Sequence, residues 1–234
     1  MKNLLFALPA MLALTGCVEI DTDPGPVRTS EQSLEAGKAD NLRAEIRMGA
    51  GKLRVEGGGK SALDASFRYS ENLGKPDVRY EQTGFRGRIV VESQHKKVLH
   101  SNVDNEWKLR FGDKLPIDFD IKLGAGETTV DLSALPVRNV DINMGVGELD
   151  LNLNGAYKRD VDVKVHGGVG EARIKLPKNI GVIVDASGGI GEINAKGLEK
   201  KDGKYVNAVY DSARPVIRLT VRGGVGEIHL SVAE

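Results

Sequence analysis

Val140-Asp141-Ile142-Asn143-Met144-Gly145-Val146-Gly147-Glu148-Leu149-Asp150-Leu151 is the stretch that decides the fold of this 234-residue chain. Apolar and polar residues alternate from Val140 to Asn143 and again from Glu148 to Leu151. Period-two alternation describes half-buried strands, since a helix would repeat every three to four residues. The parity breaks once, at Gly147-Glu148.

The same pattern recurs along the chain. The first glycines of a G-x-G stand at 49, 124, 145, 168, 189 and 224, with gaps of 75, 21, 23, 21 and 35. Spacing near 22 residues, three times in succession, signals a repeat architecture. Offsets from that glycine make the pattern explicit. The positions five and three before it, one after it, and four and six after it hold 30 residues, of which 29 are apolar. Thr128 is the exception. The interleaved positions, two and four before and five and seven after, are polar in all 24 cases.

Two local geometries fit the parity break. A corner or bulge could carry the chain from one sheet to another, with the second glycine at φ > 0. Alternatively, Gly-Glu could be a two-residue type II′ hairpin turn. Parity alone does not choose. A hairpin gives no reason for a glycine two residues earlier, nor for similar residue types at every offset. Coils stacked ~4.8 Å apart give both, because equivalent residues form ladders and a bulky one would strike the next coil. The expected fold is therefore all-β, a single-domain β-helix-like β-solenoid over residues 41–234 with coils of about 22 residues. On that reading Glu148, Glu171 and Glu192 belong to consecutive coils.

Two stretches depart from the repeat. Between Ser61 and Pro116 the G-x-G is missing, yet strand-like runs persist at Leu63–Tyr69, Val78–Glu81, Arg88–Glu92 and Trp107–Phe111. Six of the eleven aromatics lie there, so wider coils or a cap of the same domain are expected. Lys196 to Arg214 is a polar insertion before the last coil.

The N-terminus is an address. Met1-Lys2-Asn3 precedes an apolar stretch, Leu4 to Leu14, far short of the ~20 helical residues that span a bilayer. Leu14-Thr15-Gly16-Cys17 then resembles the bacterial lipobox, whose cysteine accepts diacylglycerol. Residues 1–16 are read as a lipoprotein signal peptide and Cys17, the chain's only cysteine, as the lipid attachment site. Each buried acyl CH₂ contributes ~0.8 kcal/mol, so several chains anchor firmly. Residues 17–40, rich in Pro, Gly, Asp and Ser, read as a flexible tether. Val18 in place of an aspartate points by sorting rules to the outer membrane.

Composition excludes several functions. Lys plus Arg equals Asp plus Glu at 33 each, which removes the basic surplus that nucleic-acid binding needs. One cysteine makes no internal disulfide and no zinc set. Gly59-Lys60-Ser61 has Arg54 where a phosphate-binding loop requires its first glycine, and no helix follows the G-x-G motifs, so no nucleotide is expected. His95, His100, His166 and His229 lack metal-ligand spacing. Glu127, Glu148, Glu171, Glu192 and Glu227 share one offset, and stacked neighbours ~5 Å apart would repel by roughly 1 kcal/mol in water. A hard cation could relieve this, but side chains splayed into solvent beside Arg and Lys do so as well. Neither a catalytic residue, a cofactor nor a metal is assigned, and the chain is not read as an enzyme.

Met48-Gly-Ala-Gly51, Leu123-Gly-Ala-Gly-Glu127, Asp131-Leu-Ser-Ala-Leu-Pro136, Gly203-Lys-Tyr-Val-Asn207 and Gly223-Gly-Val-Gly-Glu-Ile228 together resemble the bacterial toast-rack β-strand-repeat proteins. These are grouped with adhesin-like proteins and with the C-terminal domain of LiaF-like cell-envelope stress regulators. The resemblance covers residues 41–234 and implies a β-solenoid envelope domain with no established catalytic residues. It implies a lipid-anchored, non-catalytic structural or interaction module, adhesin-like, with the membrane and an envelope protein or glycan as partners. Two alternatives stand beside it: an envelope-stress component that binds a regulatory protein, and a solenoid enzyme acting on glycans. The chain lacks the membrane helices of LiaF-like proteins and carries a lipobox instead.

Overall fold

A computed structural model describes residues 25–94 and 103–233. Its strands are β1 (Val27–Leu34), β2 (Asn41–Gly57), β3 (Leu63–Ser70), β4 (Asp77–Thr83), β5 (Arg86–Glu92), β6 (Asn105–Phe111) and β7 (Ile117–Asp131). They continue with β8 (Val137–Asn152), β9 (Val161–Leu176), β10 (Gly181–Ser187), β11 (Ile193–Lys196), β12 (Glu199–Lys201), β13 (Lys204–Val206) and β14 (Val216–Val232). Among the described residues the helical content is one 3-10 turn, Glu71–Leu73. None of their helices is long and apolar enough to cross a membrane.

Five strands, β2, β7, β8, β9 and β14, each run straight through a G-x-G and pair in parallel register on both sides of it. For β8 and β9 the pairing extends from Asn139↔Asp162 to Asn152↔Lys175. A hairpin at Gly-Glu would reverse the chain, so the corner is the geometry that occurs. At the second glycine φ lies between +134° and +140° in every repeat. No side chain fits there either: a Cβ on Gly147 would lie 1.8 Å from the Gly126 carbonyl oxygen of the neighbouring coil. Each strand thus bends into two arms, and the arms stack into two half-sheets facing one another across the core. Ile142 and Leu149, on opposite arms of β8, are 0% and 2% exposed. Full burial of such a side chain contributes roughly 1.5–3 kcal/mol, which explains the repeated apolar offsets. The all-β solenoid is the observed fold. Thr128, the polar residue in an apolar cell, is buried and its hydroxyl has no protein partner.

The order of coils differs from the order of the sequence. Along the sheet the strands run β1-β3-β6-β2-β7-β8-β9-β14-β10-β13-β12, with β11 also beside β14. The last strand is therefore inserted between β9 and the coil that precedes it in sequence. Glu171 has Glu148 and Glu227 as neighbours, not Glu192, which corrects the expected succession. Length gives the reason. β14 matches the long bent β9 from Ile217↔Val161 to Val232↔Leu176, whereas the coil of β10 and β11 is broken at its corner and suits the end of the stack.

The region without G-x-G is a divided coil and its cap. β5 pairs with the first arm of β2 and β6 with its second arm. β4 covers β5, while β3 and then β1 cover β6, all antiparallel. Its aromatics pack edge to face, Phe67 on Trp107 at 5.6 Å and Phe111 on Phe119 at 5.0 Å. At the other end Asn207, 4% exposed, accepts from the Val182 N–H at 3.0 Å and donates to the Ile180 and Pro177 carbonyls at 2.8 and 3.3 Å. It ties the polar insertion to β10.

Part of the expected tether is structured. Val27–Leu34 forms β1 and pairs with β3 along its full length. Its polar composition hides this, because the strand is a cap held by backbone bonds, by Ser33 donating to Asp64 at 2.9 Å and by Arg28 beside Glu71 at 3.1 Å. Residues 1–24, with Cys17 and the signal segment, lie outside the described residues, as do His95 and His100.

Candidate functional site

The corner of the stack gathers the repeat's chemistry into rows. The residue between the two glycines is apolar and has the parity of the buried face, which predicts an inward position. The structure reverses this. Val146, Val169, Val225 and Ile190 are 53%, 50%, 46% and 72% exposed. The turn at the following glycine places them at the apex, outside the core. In stack order they form one aliphatic ridge, Ala50–Ala125–Val146–Val169–Val225–Ile190, each beside the next.

The glutamate row runs parallel to the ridge, two residues further along each strand. Lys52 heads it, followed by Glu127, Glu148, Glu171, Glu227 and Glu192. Cations interleave it. Lys52 Nζ lies 2.9 Å from Glu127, whose carboxylate holds the ammonium's pKa above its ordinary value. Arg173 bridges Glu148, at 3.3 Å, and Glu171. His229 Nε2 lies 2.9 Å from Glu227 and 3.2 Å from Glu171. Glu171, Glu227 and His229 bring donor atoms within 4.8 Å of one another, a set that could hold a metal ion. In the structure Arg173 and the imidazole already face those carboxylates. His229, which has no metal-ligand spacing in the sequence, is thus part of the row, and the insertion of β14 is what puts it there.

On the other side of the ridge a groove of about 940 Å³ crosses the coils. Its floor carries the first glycines of the repeats, and Arg47, Lys122, His166 and Arg222 line one wall. The floor is glycine for a steric reason: a Cβ on Gly124, Gly145, Gly168 or Gly224 would lie 2.2–2.3 Å from the carbonyl oxygen of the neighbouring coil.

One buried charge escaped the sequence reading. Glu45 is 6% exposed and accepts from Arg88 through both oxygens at 2.8 Å, from Arg47 at 2.7 Å and from Arg43 at 3.2 Å. The Arg88 guanidinium, outweighing the burial that opposes it, lowers the Glu45 pKa from 4.5 to about 2. In sequence it occupies an ordinary polar cell of β2. Only the arrival of β5 alongside, bringing Arg88, covers it, as a carboxylate ringed by three half-exposed arginines on the outer face.

Residues 23–175 match the family described as the N-terminal domain of toast_rack, DUF2154, and residues 134–230 match the C-terminal domain of the cell wall-active antibiotics response protein LiaF. Among solved structures, a candidate cell adhesion protein from Clostridium sporogenes is 32% identical with a TM-score of 0.84, covering 89% of this chain and 100% of its own. A candidate adhesin from Bacteroides fragilis is 13% identical with a TM-score of 0.36, over 88% of this chain and 97% of its own. No curated protein sequence matches the chain.

Proposed function

This chain belongs to the toast-rack family, and from that premise we propose that it is a lipid-anchored, non-catalytic interaction module of the bacterial cell envelope, adhesin-like in its mode of action. The observation that carries the reading is the corner of the stack. A rigid ladder of backbone holds an aliphatic ridge, a carboxylate row and a groove in register over six coils. Such a surface offers repeated equivalent contacts to an extended partner, whereas an enzyme would mark one position against the rest. The likeness to the Clostridium sporogenes protein supports the adhesive side of the reading. The lipobox at Leu14–Cys17 supports the anchor, with the outer membrane as its place and Cys17 as the acylated residue.

The LiaF-like match over residues 134–230 favours a second reading, a stress-response component that binds a regulatory protein through the same coils. One experiment addresses both. The full chain is displayed on its own cells, and surface retention of purified envelope glycans and proteins is compared with cells carrying Val169→Asp. Loss of glycan or protein capture in the variant is the expected result. Unchanged capture would remove the corner from the function. Cys17→Ser should abolish labelling by a fatty-acid probe, and persistent labelling would overturn the anchor.

A further inference from the structure

Among the described residues six large apolar side chains are exposed: Val27, Phe85, Val146, Val169, Val225 and Ile190. Scattered singly they would carry no meaning. Five of them fall on one line. Val146, Val169, Val225 and Ile190 are the large members of the ridge, and Val27, 42% exposed, stands on its extension beyond Ala50. Backbone pairing fixes that position. Val27 pairs with Ser70, and Ser70 donates its N–H to the Asp104 carbonyl at 2.8 Å. The next residue, Asn105, donates from its side chain to the Ala50 carbonyl at 2.5 Å. Phe85 is the exception. It lies at the β4–β5 turn, its carbonyl bonded to the Asp40 N–H, and Asp40 is ten positions or ~30 Å of strand from Ala50.

The entry point of the chain indicates what covers this line. Gly25 is two residues before Val27, so the polypeptide coming from Cys17 joins the fold at the ridge's own end. Cys17 and Gly25 are eight positions apart, a span of at most ~27 Å. With acyl chains on Cys17, that span holds the corner near the lipid surface at roughly millimolar effective concentration, where a weak apolar contact suffices. We propose that the ridge is the face that rests on the anchoring membrane, its valine and isoleucine side chains seated at the boundary of headgroups and acyl chains. The inference rests on the lipid anchor proposed above and names a lipid surface as the partner of the ridge.

Shape favours a plane over a pocketed partner. Each ridge residue sits at the apex between two glycines, so its side chain stands highest and the row touches a flat surface without a complementary cavity. Aliphatic side chains on such an edge suit the interfacial region, where binding grows with the apolar area buried. Charge does not drive the contact. On one flank the carboxylates face Lys52, Arg173 and His229. On the other, Arg47, Lys122 and Arg222 face Glu45, Asp120 and Asp185. No unpaired basic row is left to select anionic headgroups, so zwitterionic lipid is sufficient. Seated this way, both arms of every coil rise from the membrane and the groove opens along its surface, so a partner held there is lost together with the seating.

The acylated full chain in phosphatidylcholine vesicles tests this. Acylation consumes the only native thiol, so Ile190→Cys and Phe85→Cys each take a single fluorophore. Nitroxide-labelled acyl chains should quench the label at position 190 and leave the label at position 85 as bright as in nitroxide-free vesicles. Adding Val169→Asp and Val225→Asp should abolish the quenching at position 190, because a carboxylate resists transfer into that boundary. The melting temperature should stay the same, since both valines are about half exposed. Quenching should also persist at about 1 M salt, where charge attraction is screened within ~3 Å. With Cys17 acylated, a label at position 190 quenched no more than the one at position 85 overturns the proposal and gives the ridge to a partner on the solvent side. Quenching that salt removes overturns the apolar contact. A parent chain that reacts with a thiol reagent has a free Cys17, which overturns the anchor and this seating with it.

Discussion

Gly170→Ala is the smallest change that should break the stack. The new Cβ would lie 1.7 Å from the Gly147 carbonyl oxygen, 2.7 Å from its carbon and 3.1 Å from its nitrogen. Ordinary contact begins at 3.4 Å, so β8 and β9 must part by about 1.7 Å at a point where both neighbours are backbone. The ladder cannot yield on the far side either, because Gly226 stacks on Gly170 in the same way. A non-glycine residue at φ +140° adds about 1–3 kcal/mol of backbone strain, and overpacking adds about the same. The expected loss is about 2–6 kcal/mol, a large share of the 5–15 kcal/mol that holds a typical domain together. For a chain of this size each kcal/mol is worth about 2–4 °C, so the melting temperature should fall by about 4–24 °C. Urea unfolding followed by circular dichroism is the assay, with Gly167→Ala as control. Three residues away, in open space and at an ordinary φ, the same methyl should be neutral or stabilise by about 0.4–1 kcal/mol through the unfolded chain. A Gly170→Ala protein within 0.5 kcal/mol of the parent, an allowance of about the usual surface effect, would refute the stacking argument.

The Glu45 carboxylate has its pKa lowered on folding, so its contribution is complete above about pH 4.5 and drains away as pH falls toward 2, amounting to about 3 kcal/mol. Acid unfolding should therefore steepen below pH 4.5, and Glu45→Gln should flatten that slope while costing about 2–3 kcal/mol at neutral pH. Asn207→Ala leaves the Val182 N–H and two carbonyls without partners and should cost about 2–4 kcal/mol, measured by thermal melting. Glu171→Gln removes one of three adjacent carboxylates but also partners of Arg173 and His229, all half-exposed, so stability should change by no more than about 0.5 kcal/mol at any salt concentration. A calcium- or zinc-dependent rise in melting temperature that Glu171→Gln abolishes would instead make the Glu171–Glu227–His229 set a metal site.

Much of this fold is legible in the sequence because each repeat states it again. Alternation at fixed offsets identified the arms, and paired glycines at 145/147 and 168/170 identified the corner, since only stacking demands both. The ridge was misread for a definite reason: parity counts residues but does not register that a corner rotates the next side chain out of the core. Periodicity is equally silent on order, so the placement of β14 beside β9 was invisible, and with it the meeting of His229 and Glu171. β1 carries no apolar alternation at all. Its pairing depends on a free edge of β3, a property of the assembled sheet rather than of residues 27–34. The Glu45 cluster fails for the same cause, as Arg88 lies 43 positions away.

The stacked order itself can be read chemically. With Cys17→Ser as background, Lys164→Cys paired with Thr220→Cys probes β9 against β14, and Lys164→Cys paired with Asp185→Cys probes β9 against β10. Thr220 stands in register beside both Lys164 and Asp185, which places Lys164 and Asp185 two coils apart, ~9.6 Å, too far for a disulfide. Under mild oxidation the first pair should close rapidly and the second should stay reduced. Rapid closure of the second pair, with the first inert, would contradict the inserted last strand and the register built on it.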